Sequence, residues 1–194
     1  MRPFAYLYDR VMQWVDHPRA PAFLCGLSFA ESSFFPIPPD VMLAPMALRC
    51  PQKALWYGFL TTLFSVLGGL AGYMIGYFAF DALTGWLQTT HYWPKYETAK
   101  QWFDEWGVWV VFVAGFSPIP YKLFTITAGV LVQPLLPFTI ASFIGRGARF
   151  MLEAILLKWA GPKIEPIMKK YIEWIGWSMV LALLGLVIWF KVYR

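Results

Sequence analysis

Six ionisable side chains stand in stretches that are otherwise apolar: Glu31, Asp40, Lys122, Arg146, Arg149 and Glu153. A charge at the centre of a bilayer costs at least about 2.5–3.5 kcal/mol even on lenient insertion scales, so six of them scattered in lipid would be prohibitive. Gathered around one polar cavity, they can satisfy one another and hold a ligand. Arg146 and Arg149, at i and i+3, share a helix face, and their planar forks can grip a phosphate bidentately. Lys122 is a third candidate phosphate ligand. Glu31 and Asp40 are the proton-coupling candidates, because a carboxylate in a low-dielectric site can exchange protons near neutral pH. Glu153 lies one turn beyond Arg149 and reads as its neutraliser. A competing reading pairs these groups internally as structural salt bridges, Glu31 with Arg146 for example, and lets Lys122 snorkel to the interface.

Two proline breaks position these charges. Pro-Ile-Pro occurs at 36–38 and again at 118–120, and the offset of 82 residues sets Asp40 opposite Lys122. Pro36, Pro38, Pro118 and Pro120 read as hinges: each removes a backbone donor and biases the preceding residue away from helix. The arms on either side are roughly 10–15 residues, too short to span alone. Segments 20–53 and 108–133 are therefore expected to be re-entrant hairpins, with a single kinked span as the alternative. Irregular backbone at that depth is tolerated only against protein or a wet cavity.

The 27 residues 54–80 carry no charge, enough to cross a hydrocarbon core of about 30 Å. Gly68, Gly69, Gly72 and Gly76 give this span a small-residue face suited to close helix packing. Segment 81–107 reads as a polar connection with an interfacial helix near Tyr96–Trp106. Segment 137–160 is a second span, carrying Arg146, Arg149 and Glu153. Residues 1–19 read as an amphipathic interfacial helix rather than a cleavable signal peptide, and 174–191 as a last transmembrane helix between tryptophan anchors. Aligning GGLAGY at 68–73 with GRGARF at 145–150 sets Gly69 and Gly72 opposite Arg146 and Arg149.

The expected fold is thus one all-α integral membrane domain, 1–194. It has two inverted repeats, each a broken-helix hairpin followed by a transmembrane helix, the plan of secondary transporters. Composition agrees: 59% of the residues are hydrophobic and 14% charged, against about 25% charged in a soluble domain. The net charge of +5 is not gathered into a basic stripe, which argues against a nucleic-acid partner. Cys25, Cys50, His17 and His91 form no metal pattern, and no metal or cofactor is expected. Positive charge at Arg49, Lys53 and 158–170 places the N-terminus in the cytoplasm, although Lys191 and Arg194 then end outside.

Arginines that hold a phosphate beside carboxylates that exchange protons make a proton-coupled carrier of an anionic lipid headgroup. Membrane lipid and protons are then the partners, and a homodimer stays open. A serine protease is disfavoured, because both histidines sit in polar segments and HExxH and GxSxG are absent. An intramembrane lipid phosphatase is the runner-up. ESSFFPIP resembles the glutamate-rich loop of undecaprenyl-diphosphate phosphatases, but that family's further arginine and serine motifs are missing. A non-transporting, membrane-organising protein with purely structural charges is the third reading.

Four strings together, FAESSFFPIPPDVML, SVLGGLAGYMIGY, GFSPIPYKLFTITAGV and FIGRGARF, resemble the DedA family, also called VTT or SNARE-associated Golgi-like. The likeness covers roughly residues 20–160, and PIPYK with GRGARF looks closest to its YqaA-like branch. The resemblance implies opposed re-entrant hairpins, an embedded acidic pair at Glu31 and Asp40, and essential arginines at Arg146 and Arg149. It also implies a place in the bacterial inner membrane and lipid translocation, of undecaprenyl phosphate or of phospholipids. Where many members carry arginines around the second hairpin, this chain has Lys122, a point charge without the fork.

Overall fold

The computed structural model describes residues 14–35, 37–88, 93–117 and 120–159; among them all regular structure is helical. Helix α1, Ala20–Ser33, and helix α2, Asp40–Arg49, flank the first break. The first arm stops where the amides of Phe34 and Phe35 both turn back to the Ala30 carbonyl, just ahead of prolines that cannot continue a helix. Pro39 occupies the N-cap of α2, with Asp40 in its first turn and Arg49 in its last, the arrangement the helix dipole favours. A 3-10 turn, Pro51–Lys53, leads into α3, Ala54–Gln88. The stretch Pro51–Phe80 is long and apolar enough to cross a membrane, with a mean hydropathy of 1.6.

The arm–break–arm pattern then recurs. Helix α4, Trp93–Phe116, ends at Ser117, and helix α5, Tyr121–Val130, starts after Pro120. Helix α6, residues 135–159, follows Pro134. The expected polar connection 81–107 is largely helical, because α3 runs on to Gln88 and α4 passes through Gly107 without a break. No proline interrupts α4 after its second residue, and the bare Gly107 makes room for the Phe103 ring and the Gln133 amide. Stacked rings of Phe80 and Tyr96, 4.7 Å between centroids, pin the end of one helix to the start of the next.

Both short arms α1 and α5 lie on α3. Gly68 faces the Phe29 carbonyl and Gly76 the Ile126 carbonyl so closely that a methyl group at either position would collide with the backbone. The glycines of 54–80 therefore serve helix packing. The two larger apolar cores among the described residues are Leu24, Leu43, Met46, Tyr57 and Phe150 in one, and Tyr73, Val111, Tyr121, Leu131 and Phe138 in the other; Ala47, Ala54 and Ala154 form a small third. Large apolar side chains such as Phe78, Trp109, Leu136 and Leu156 stay exposed on the outside, where a hydrocarbon phase would receive them.

Most of the expected interfacial helix 1–19, the final span 174–191, and the hinge residues Pro36 and Pro118 lie outside the described residues. Pro38 and Pro120 sit exposed at the two breaks.

Forced methyl groups in a close-packed contact cost about 1–3 kcal/mol. Gly68→Ala and Gly76→Ala should each lower the thermal unfolding midpoint in detergent by a corresponding amount. Gly26→Ala, where a Cβ meets nothing within 4 Å, should not.

Candidate functional site

On α6 the residues Ser142, Arg146, Arg149, Phe150 and Glu153 recur at spacings of three and four, and so project from one helical face. That face meets α1, α2, α3 and α5. Arg146 is only 1% exposed, and its guanidinium is held on several sides. Nη2 donates to Glu31 Oε2 at 2.6 Å and to Ser32 Oγ at 3.2 Å, while Nε donates to Ser65 Oγ at 2.6 Å. Ser32 in turn donates to the same Glu31 oxygen and meets Ser65 at 2.7 Å. The rings of Tyr121 and Phe150 lie 4.9 and 4.6 Å from the guanidinium carbon. Because Tyr121 belongs to one apolar core and Phe150 to the other, the cation stands at their seam. Tyr121 is itself hydrogen-bonded to Ser142.

Arg149, one turn on, has a different environment. Its Nη2 donates to both oxygens of Asp40, at 3.1 and 3.0 Å, and its Nη1 donates to the Ser117 carbonyl at 3.3 Å. It thus links α2, which follows the first break, to the second break. The pair is partly open, with side chains 23% and 29% exposed, whereas Arg146 and Glu31 are at 1% and 14%. Glu153, one turn beyond Arg149, adds a second carboxyl that interacts electrostatically with Asp40 and Arg149.

Lys122 stands apart from these pairs. Its Nζ donates to the Phe35 carbonyl at 3.3 Å, crossing from the second break to the first. Asp40 and Lys122, opposite in the repeat, thus take different partners. The space that Gly69 and Gly72 leave is filled by Tyr121 and Thr125 of α5.

The structure brings Glu31 to Arg146 and Asp40 to Arg149. Sequence reasoning missed Ser32 and Ser65 as ligands of the guanidinium. The neighbouring Ser33 caps backbone instead, donating to the Phe29 and Gly68 carbonyls. A signal for Ser65 was present: Thr61, Thr62 and Ser65 are the buried serine and threonine side chains of the charge-free span. Both threonines bond the carbonyl four residues back, which leaves Ser65 for a tertiary partner.

Comparison with known proteins bears on this geometry. The family profile of the VTT domain matches residues 37–158. The chain is 48% identical over 181 residues to an uncharacterized protein of Haemophilus influenzae, covering 93% of this chain and 94% of that one. An uncharacterized protein of Histophilus somni is likewise 48% identical over 181 residues, 93% of this chain and 95% of its own. A shorter match, 45% identity over 47 residues, is to undecaprenyl phosphate transporter A of Staphylococcus aureus and covers 24% of this chain and 23% of that protein. No solved structure matches the chain.

Removing one partner of a buried ion pair strands the other charge, at a cost of about 3–5 kcal/mol. Arg146→Met should destabilise the detergent-solubilised protein by that order in denaturant unfolding. Adding Glu31→Gln should recover part of the loss, because the stranded carboxylate is then gone.

Proposed function

Because the chain belongs to the VTT-domain family, also called DedA, we propose that it is a lipid transporter or scramblase. It moves a phosphate-bearing lipid, a polyprenyl phosphate or a phospholipid, and couples that movement to protons. The observation that carries this reading is the half-open Arg149–Asp40 pair beside the Ser117 carbonyl of the second break. A guanidinium there can trade one anion for another. A headgroup phosphate takes the place of the Asp40 carboxylate, so the cation is never left alone in a medium where an unpaired charge costs at least about 2.5–3.5 kcal/mol. Protonation of Asp40 weakens its hold on Arg149 and favours the exchange, so acid on the side of uptake should accelerate loading.

In this reading 20–53 and 108–133 are re-entrant hairpins of an inverted repeat, hinged at their prolines, with α1 and α5 packed on the glycine face of α3. Arg146 and Glu31 remain paired and form a rigid support beside the Arg149–Asp40 pair. Lys122, bonded to a carbonyl rather than to an acid, offers the headgroup a second cation at the breaks. The strings PIPYK and GRGARF support the YqaA-like branch, the family supports the bacterial inner membrane, and the basic residues Arg49, Lys53 and those of 158–170 support a cytoplasmic N-terminus.

Vesicles containing the purified protein and a trace of fluorescent lipid test the proposal, polyprenyl phosphate and glycerophospholipid in separate arms. Expected is leaflet exchange with the lipid chemically unchanged, faster when the donor side is acidified. Arg149→Gln should slow it about tenfold or more, the equivalent of 1.4 kcal/mol or above. Asp40→Asn should abolish the acceleration by acid. Release of inorganic phosphate would instead identify a lipid phosphatase, and neither outcome would leave a membrane-organising protein.

A further inference from the structure

We propose that the start of α1 carries a lipid site of its own, separate from the charged face of α6, in which Arg19 and His17 hold the headgroup phosphate of an anionic glycerophospholipid. This site does not depend on the transport reading.

The chain builds it locally. The His17 amide donates to the Trp14 carbonyl at 3.1 Å and the Ala20 amide to the His17 carbonyl at 2.9 Å, a turn that leads into α1. Arg19 is the N-cap residue of that helix, and its carbonyl accepts the Phe23 amide at 3.2 Å, so Arg19 and Phe23 lie one turn apart on one face. The turn brings the Trp14 ring to the Phe23 ring, 6.1 Å between centroids. Trp14, His17, Arg19 and Phe23 line a cleft of about 360 Å³, within the size range of small-ligand sites.

The lining divides into an apolar and a cationic part. Trp14 and Phe23 are 61% and 52% exposed, and exposed rings of this kind settle at the boundary between headgroups and acyl chains. Asp16, the acid nearest to Arg19 in sequence, is taken by Arg49 at 3.0 and 3.1 Å. Among the described residues no acid lies within ion-pair distance of Arg19, so its fork is open to an anion from outside. His17 accepts the Arg19 amide at Nδ1, 3.1 Å. A neutral imidazole that accepts at Nδ1 carries its proton on Nε2, which makes that nitrogen a second donor for a phosphate oxygen.

Charge complementarity thus selects an anion, and the two rings select one with an acyl chain attached, because a free phosphate would leave them bare. A lipid held there fastens the start of the arm whose far end carries Glu31, about 18 Å away at a helical rise.

Native mass spectrometry of the full chain in neutral detergent, titrated with phosphatidylglycerol or phosphatidylcholine, tests the site. An Arg149→Gln background removes the proposed transport site as a competitor, and in it phosphatidylglycerol should bind the more tightly. Adding Arg19→Gln should weaken that lipid about tenfold or more, the loss of one charge-assisted contact. His17→Ala should weaken it with the arginine still in place. Lys53→Gln removes the same charge from another exposed position and should leave the affinity at the background value. Arg19, His17 and Lys53 are all exposed, so these substitutions should not move the unfolding temperature. A loss at Arg19→Gln no larger than at Lys53→Gln, equal binding of the two lipids, or displacement of the lipid by excess inorganic phosphate overturns the proposal.

Discussion

A guanidinium sealed from water has to find its counter-charge, its acceptors and its polarisable surroundings inside the protein, and Arg146 finds all three. Glu31 comes from the first arm, Ser65 from the long span, and the two rings from α5 and from α6 itself. None of these partners reaches the cation unless the helices approach to backbone contact. The tight glycine packing on α3 and the buried charge are therefore two aspects of one requirement. A wider helix separation would leave the cation unpaired, and an apolar residue in its place would leave Glu31 and two serine hydroxyls without their partner.

One helical turn separates this sealed pair from an open one. The energetic difference between them follows from solvent access. A buried pair broken on one side loses several kcal/mol, whereas a partly solvated pair is worth far less and can exchange its anion at modest cost. Arg146 and Arg149 have the same chemistry and opposite fates because α6 turns one towards the seam of the two cores and the other towards the breaks. In the proposed reading, stability and ligand exchange fall to neighbouring residues of one face.

Much of this was legible in the chain itself. Charges are rare in apolar runs, so Glu31, Asp40, Lys122, Arg146 and Arg149 stood out, and the prolines marked where arms end. Periodicity assigns residues to a face of their own helix, but not the angle at which that face meets other helices. Hence the pairing of Asp40 with Arg149 rather than with Lys122 became visible only in three dimensions. The continuity of α4 through Gly107 was hidden for another reason. Glycine weakens an isolated helix, yet there it is retained by what packs against it.

The glycines on α3 have a mechanical consequence. Positions 68, 72 and 76 recur every four residues, about 6 Å along the axis. Gly68 carries one arm and Gly76 the other, while Gly72 between them faces the Ser32 carbonyl and Thr125 of both. A side chain at 72 would act as a stop on this row; its absence makes the face a smooth rail. The bonds of Ser33 to Gly68 and of Ser32 to Ser65 fix the first arm on this row, and Thr125 ties the second arm to the first through the Ser32 carbonyl. Friction between arm and span is set by a few hydrogen bonds, and some of those same bonds end on the charged site.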